Sequence, residues 1–375
     1  MQRGLLNVVI DGQFGSTGKG KIAAYLACKH NIDAAICNNM SNAGHTFYVD
    51  GRKYVAYHLP AAAANRRTKL YIGPTAAITV KMLIEELEAF SDLNVADRLF
   101  IHPRAVIITD ECKQWEKENL VRISSTTKGC GRAMAMKVMR HPDTVLAGDV
   151  LELADFVIDE DVWRSEILAL LAQGATVLAE SAQGFGLSLN HGRMYPYCTS
   201  RDITVAQVLS DCGVPPRKLG HVYASMRCHP IRVGNVKKDD GEMVGFSGPV
   251  FDDQRELTWE DITRISGSAL PISERTTVTN KVRRVFTWSD QQVAWFNALC
   301  EPDFIFLNFV NYLDAGILNK DSSVDLHEYP RVYDFMLRLQ GKFHVPVAYL
   351  GTGPEEKAII DCCCDPVELA AVGRL

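Results

Sequence analysis

The chain has 375 residues, 47% of them hydrophobic and 23% charged, a balance that supports a large buried core and excludes a disordered chain. A formal net charge of −5 lacks the positive surface that a general grip on nucleic acid requires, so any nucleotide it takes is small and held in a pocket. Eleven scattered cysteines, including a Cys362-Cys363-Cys364 run too tight for zinc, with no leader pattern in residues 1–6 and no apolar run of membrane length, lead us to expect a reducing cytoplasm and no membrane partner.

In chain order, a Val- and Ile-rich run at residues 7–11 opens the pattern as a buried strand, and a second strand is expected at 69–72. Helical spacing of apolar residues follows at 79–90 and 161–173, a strand at 176–179, another at 303–307, a helix at 329–341 and a strand at 345–350. The alternation predicts the α/β class with a mostly parallel central sheet. We expect one large domain over residues 1–375 with loop and helix excursions, the most polar of them at 234–248. Ligands should then sit at the carboxyl ends of the strands.

The first strand runs into Gly12-Gln13-Phe14-Gly15-Ser16-Thr17-Gly18-Lys19-Gly20-Lys21, with a helical pattern just beyond it. Glycines let backbone N–H groups approach phosphate oxygens, a helix N-terminus favours negative charge, and Lys19 adds a full positive charge. The spacing is not that of a Walker loop: five residues separate Gly12 from Gly18-Lys19, and Gly20 stands where a Ser or Thr would hold magnesium.

Further motifs follow in order: Asn42-Ala43-Gly44-His45-Thr46, Ser125-Thr126-Thr127, Lys137-Val138-Met139-Arg140, Glu180-Ser181-Ala182-Gln183-Gly184 and His191-Gly192 with Tyr195-Pro196-Tyr197-Cys198-Thr199-Ser200. Arg232-Val233-Gly234, Thr276-Thr277-Val278-Thr279 with Arg283-Arg284, and Gly351-Thr352-Gly353-Pro354 complete the series. Together with the glycine loop, these segments resemble the adenylosuccinate synthetase family from residue 8 to residue 354.

The resemblance implies a C–N bond-forming ligase. In that family a nucleoside triphosphate phosphorylates the purine 6-oxygen, and the amine of L-aspartate then displaces phosphate at carbon 6. Ser16, Lys19 and His45 fall at the catalytic positions, with Mg2+ at Ser16 and the carbonyl of Gly44. The triphosphate is expected on Ser16, Thr17, Gly18, Lys19 and Gly20, on Gly44, His45 and Thr46, and on Asn311, Gly351 and Gly353. The acceptor nucleotide falls to Ser16, Asn42, Thr126, Thr127, Gln183, Thr199 and Val233, with Arg140 supplied by the neighbouring subunit of a homodimer. Thr277, Val278, Thr279 and Arg283 fall where the family binds the aspartate carboxylates, although Asn280-Lys281 replace its usual Gly-Arg.

Two departures bear on substrate. Family members carry Asp-Glu at Ser16-Thr17, and that aspartate takes the proton from purine nitrogen 1; a serine hydroxyl is too weak a base for the task. Serine does leave room and an acceptor for the 2-amino group of guanine, and the change is similar to a phage-associated branch that joins aspartate to dGMP for diaminopurine deoxynucleotide synthesis. Asn311 replaces the family's guanine-reading aspartate, and an amide suits adenine, so ATP or dATP is the expected donor. Two alternatives stay open: an ordinary synthetase acting on IMP, and a non-catalytic regulator that binds purine nucleotides.

Overall fold

The computed structural model describes residues 1–238, 240–276 and 281–362. Strand β1 (Leu6–Asp11) is buried at every position. Val9 faces one apolar layer while Leu6, Val8 and Ile10 face the other, which is why this strand reads as a continuous apolar run and not as an alternation.

Eight more strands extend the sheet: β2 (Ala34–Cys37), β3 (Lys69–Ile72), β4 (Leu99–Ile101), β5 (Val177–Glu180), β6 (Leu219–Arg227), β7 (Phe304–Asn308), β8 (Val347–Gly351) and β9 (Ile359–Asp361). Their spatial order is β9-β8-β7-β6-β1-β5-β2-β3-β4. Every neighbouring pair is parallel except β8 and β9. The strands from β2 to β5 lie on one side of β1 and those from β6 to β9 on the other. The carboxyl end of β1 is therefore the switch point at which such sheets open a crevice.

Helices cover both faces. Ile22 and Leu26 of α1 (Lys19–Lys29) and Leu83 of the helix Val80–Ala89 pack on one layer. Ile167 and Leu171 of the helix Glu160–Ala172, with Met336 and Leu339 of the helix Pro330–Phe343, pack on the other. The expected α/β class, five strands and three helices are present, each within two residues of the predicted bounds. The polar excursion is a small antiparallel hairpin, Val236–Lys237 against Met243–Gly245. No helix among the described residues is long and apolar enough to cross a membrane.

Candidate active site

The glycine loop is organised by the residue that ends β1. The carboxylate of Asp11, fully buried, accepts from the backbone N–H groups of Gln13 (2.9 Å) and Gly15 (3.2 Å) through Oδ1. Its Oδ2 accepts from the Thr17 hydroxyl (2.6 Å) and from Lys19 Nζ (3.0 Å). Thr17 is thus an internal strut of the loop, and Lys19 is held at the start of α1. Gly18 at the N-cap has φ 94° and offers no side-chain cap, so the first turn of α1 keeps backbone donors for an anion.

Two close approaches explain the loop's composition. A Cβ on Gly18 would lie 2.0 Å from Asn308 Nδ2, the group that donates to the Thr17 carbonyl at 3.1 Å. A Cβ on Gly20 would lie 2.9 Å from Cβ of His45. The Ser or Thr of a Walker loop has no room here because the hairpin that starts at His45 packs directly on α1.

A cavity of about 530 Å3 opens beyond these strand ends. Of the sequence-derived candidates, Ser16, Thr17, Gly18, Lys19, Gly20, Asn42, Gly44, His45, Thr46, Thr126, Gln183, Val233, Arg283, Asn311 and Gly353 line it. Thr127, Thr199, Arg140 and Gly351 lie outside its lining. Arg140 closes the helix Cys130–Met139 with φ 55° and is exposed. Gly351 abuts Asn308, whose Oδ1 would lie 1.9 Å from an added Cβ. Thr277, Val278 and Thr279 fall outside the described residues.

On one wall, His45 is only 7% exposed and its Nδ1 lies 2.6 Å from Glu180 Oε1. Glu180, at the end of β5, is fixed in turn by the Ala61 N–H, which donates to Oε2 at 2.7 Å. The carboxylate orients the ring and leaves Nε2 as the nitrogen for chemistry. Nearby, Gln183 Nε2 donates to Asn42 Oδ1 at 2.9 Å, so the two amides act as one unit. Lys21 donates to the carbonyls of Gly353 and, at 2.6 Å, Ala358, tying α1 to the Gly351-Thr352-Gly353 turn. Burial lowers its pKa to about 7, with Glu355 pulling the other way.

The opposite wall is a charged cluster. Arg227, at the end of β6 and fully buried, stacks on Phe309 at 3.9 Å and forks onto both carboxylate oxygens of Glu274. Tyr312 donates to Glu274 Oε1 at 3.0 Å. Burial is the largest influence on Glu274 and opposes its ionisation, but Arg227, Arg283 and the Tyr312 hydroxyl together overcome it and hold the carboxyl below its usual range. Arg283 donates from Nη1 to Ser16 Oγ at 2.7 Å, and its Nε lies 3.9 Å from Glu274 Oε2. The Arg227 guanidinium also donates to the Ser16 carbonyl at 3.1 Å.

Asp11, Lys21, Glu180, Arg227, Glu274 and Tyr312 therefore belong to the site, and sequence reading gave none of them a role. Among the described residues no group of three or more His, Cys, Asp or Glu side chains is arranged to hold a metal. The hydroxyl of Ser16 and the backbone oxygen of Gly44 are hard neutral donors beside Lys19. That set fits a magnesium ion carried mainly by phosphate oxygens and water.

Backbone amides, a lysine and a helix N-terminus gathered at the switch point of a parallel sheet are what a phosphate chain needs, which makes this a nucleotide-phosphate-binding α/β protein. The model of the adenylosuccinate synthetase family matches residues 8–159 and 152–238, and the chain belongs to that family. It is 41% identical over 361 residues to the N6-succino-2-amino-2'-deoxyadenylate synthase of Vibrio phage phiVC8, covering 93% of this chain and 96% of that protein. It is 33% identical over 359 residues to the adenylosuccinate synthetase of a Pyrococcus species, covering 94% and 97%. The solved succinoaminodeoxyadenylate synthetase of cyanophage S-2L, bound to dGMP and to dATP as an energy donor, superposes with a TM-score of 0.79 at 30% identity over 98% of both chains.

Proposed function

We propose that the chain is a ligase that joins L-aspartate to carbon 6 of dGMP, yielding N6-succino-2-amino-2'-deoxyadenylate, with ATP or dATP as phosphoryl donor. The observation that carries this reading is Ser16: an uncharged residue faces the cavity where the family's catalytic aspartate stands. The phage relatives, named for this product, support it.

Chemically, the γ-phosphoryl group moves to the guanine 6-oxygen, the nucleoside diphosphate leaves, and the proton on nitrogen 1, which Ser16 is too weak a base to take, passes to the substrate's own aspartate or to water. The aspartate amine then bonds to carbon 6, the carbon–oxygen bond breaks, and phosphate departs with the proton that the amine gives up. Charge builds on oxygen in both steps. Lys19 supplies a fixed positive charge, and His45, oriented by Glu180, supplies an imidazole donor to the transferring group. Mg2+ held at Ser16 and Gly44 would neutralise charge on the donor's phosphates. Asn311 reads the adenine of the donor. Gln183 and Asn42 meet the acceptor base, Val233 its sugar and Thr126 its phosphate. Arg283 takes an aspartate carboxylate.

Thr127, Thr199 and Arg140 lie outside this cavity lining, and Arg140 is exposed at the end of its helix. That placement supports a homodimer in which Arg140 serves the partner's acceptor phosphate. The described cysteines form no disulfide, which is consistent with a reducing cytoplasm.

The test is to incubate the protein with Mg2+, ATP and L-aspartate, offer dGMP, GMP or IMP separately, and detect succinylated nucleotide by mass spectrometry. Product from dGMP and not from IMP is expected. Product from IMP alone would return the chain to ordinary adenylosuccinate synthesis.

A further inference from the structure

We propose that Glu274 is the positioning residue of the aspartate half of the site: its carboxylate neutralises Arg227 and braces Arg283, so that the Arg283 guanidinium is presented to the carboxylates of the incoming amino acid. The inference rests on the functional reading above and assigns a residue that the reading does not use.

Among the described residues lining the cavity, Glu274 is the sole carboxylate, set against Lys19, Lys21, Arg232, Arg275 and Arg283. A site that takes a triphosphate, a monophosphate and a dicarboxylic acid has reason to exclude acids, so one that remains needs an account. Two roles are available to it, general base or brace, and geometry separates them.

A general base needs an accessible lone pair and a pKa near the working pH. Glu274 has neither. Both oxygens are taken by the Arg227 fork, Oε1 also accepts from Tyr312, and Oε2 faces Arg283 Nε. The same donors keep the carboxyl ionised and depress its pKa despite burial.

A brace needs one rigid side and one side that yields. Arg227 supplies the first, being fully buried, stacked on Phe309 and anchored at a strand end. Arg283 supplies the second. Its backbone N–H donates to the Glu274 carbonyl at 2.9 Å, which fixes the two residues side by side, but its guanidinium meets the Glu274 carboxylate only at 3.9 Å and hydrogen-bonds to neutral oxygens, the Arg275 carbonyl at 3.3 Å and Ser16 Oγ at 2.7 Å. A bidentate ligand carboxylate makes shorter, charge-assisted bonds and displaces such contacts. Arg227 is the cation Glu274 cancels; Arg283 is the cation it aims and leaves available.

The test compares Glu274→Gln and Tyr312→Phe with wild type, varying each of the three substrates in turn and recording thermal unfolding alongside. For E274Q the KM for L-aspartate should rise about tenfold or more, the cost of losing a charged hydrogen-bond partner, with both nucleotide KM values within about twofold. Y312F, which removes one donor to the same carboxylate, should raise the aspartate KM less. An unchanged aspartate KM, or a rise of all three together, overturns the proposal. So does a kcat collapse at constant aspartate KM, which is the signature of a base. The acceptor used is whichever nucleotide wild type turns over, so loss of the dGMP reading leaves this comparison intact. Calorimetric titration of L-aspartate into the variants loaded with that acceptor and ADP, which has no γ-phosphoryl group to transfer, makes the same comparison in binding, and equal affinities there overturn the brace.

Discussion

Ser16 and Arg283, 267 residues apart in sequence, meet at 2.7 Å, the serine oxygen accepting from the guanidinium. A hydroxyl makes that bond without cancelling the cation. A carboxylate at the same position would form a full ion pair with Arg283 and compete with the substrate's carboxylate for it. Serine at this position therefore leaves the charge of Arg283 uncompensated by the glycine loop.

Reverting Ser16→Asp should lower kcat/KM for dGMP by about tenfold or more, since the new carboxylate crowds the 2-amino group and leaves a poorly paired polar contact. Turnover of IMP should appear or rise. Parallel rate measurements on both acceptors check this, and an unaltered dGMP preference would remove Ser16 as the acceptor determinant.

His45→Ala should cost roughly 10²–10³ in kcat, the usual loss when a preorganised electrostatic donor is removed. Glu180→Gln keeps the ring's neighbour but not its charge. We expect a smaller drop in kcat, on the order of tenfold, with nucleotide KM values held. Steady-state kinetics decide it, and an E180Q variant with wild-type rates would show that the 2.6 Å contact is not what orients the His45 ring for the proposed role.

Gly20→Ser would install the Walker hydroxyl and improve local helix propensity, yet it should abolish most activity. The new Cβ would sit 2.9 Å from Cβ of His45, and backbone on both sides leaves it nowhere to go. Activity equal to wild type would mean that α1 and the His45 hairpin separate easily.

Asn311→Asp exchanges an amide for an acceptor-only carboxylate at the donor pocket. Use of GTP relative to ATP should increase by about tenfold, the worth of one discriminating polar contact in a buried site. Competition between the two donors reads the ratio directly.

Acid should unfold the protein through its buried imidazoles. Burial holds His102 and His229 down to about 4, and the Arg104 N–H donates to Nδ1 of His102 at 3.0 Å, a bond that requires the neutral ring. In the unfolded chain a histidine titrates near 6.5, so between roughly pH 6.5 and 4 the unfolded state binds more protons. Stability must then fall as pH drops through that window, by up to about 3 kcal/mol for His229. Melting temperature plotted against pH should show this slope, and His229→Asn should flatten it whatever it does to the plateau.

The glycine loop was legible because it depends on local rules: a strand, close-approach glycines and a helix start, all contiguous. The strand at residues 7–11 showed for the same reason. β2 and β6 did not show. β2 is Ala-Ala-Ile-Cys, too small and short to signal, and β6 mixes Gly220, His221, Ser225 and Arg227 into its run. Two of these, Ser225 and Arg227, break the apolar pattern at the end of the strand that meets the site: Ser225 contacts Thr17 and Arg227 reaches Glu274. Glu274 itself was invisible, since its partners come from β6, the turn after β7 and a segment beyond residue 280, and no spacing in one stretch announces such a meeting. Glu180 lay inside a recognised motif, but only the fold brings it to His45.

β1 and its glycine loop come early in the chain, yet β1 pairs on one side with β5 and on the other with β6, and Asn308 of β7 closes on the loop's Thr17 carbonyl. During synthesis these residues leave the ribosome long before any strand exists to hold them. The phosphate cradle must therefore wait, open and unsupported, until more than half of the polypeptide has been made. Such dependence on distant pairing makes folding slow and leaves the half-made chain prone to association. Truncated or stalled chains should accordingly depend on chaperones at a stage when they cannot yet bind nucleotide.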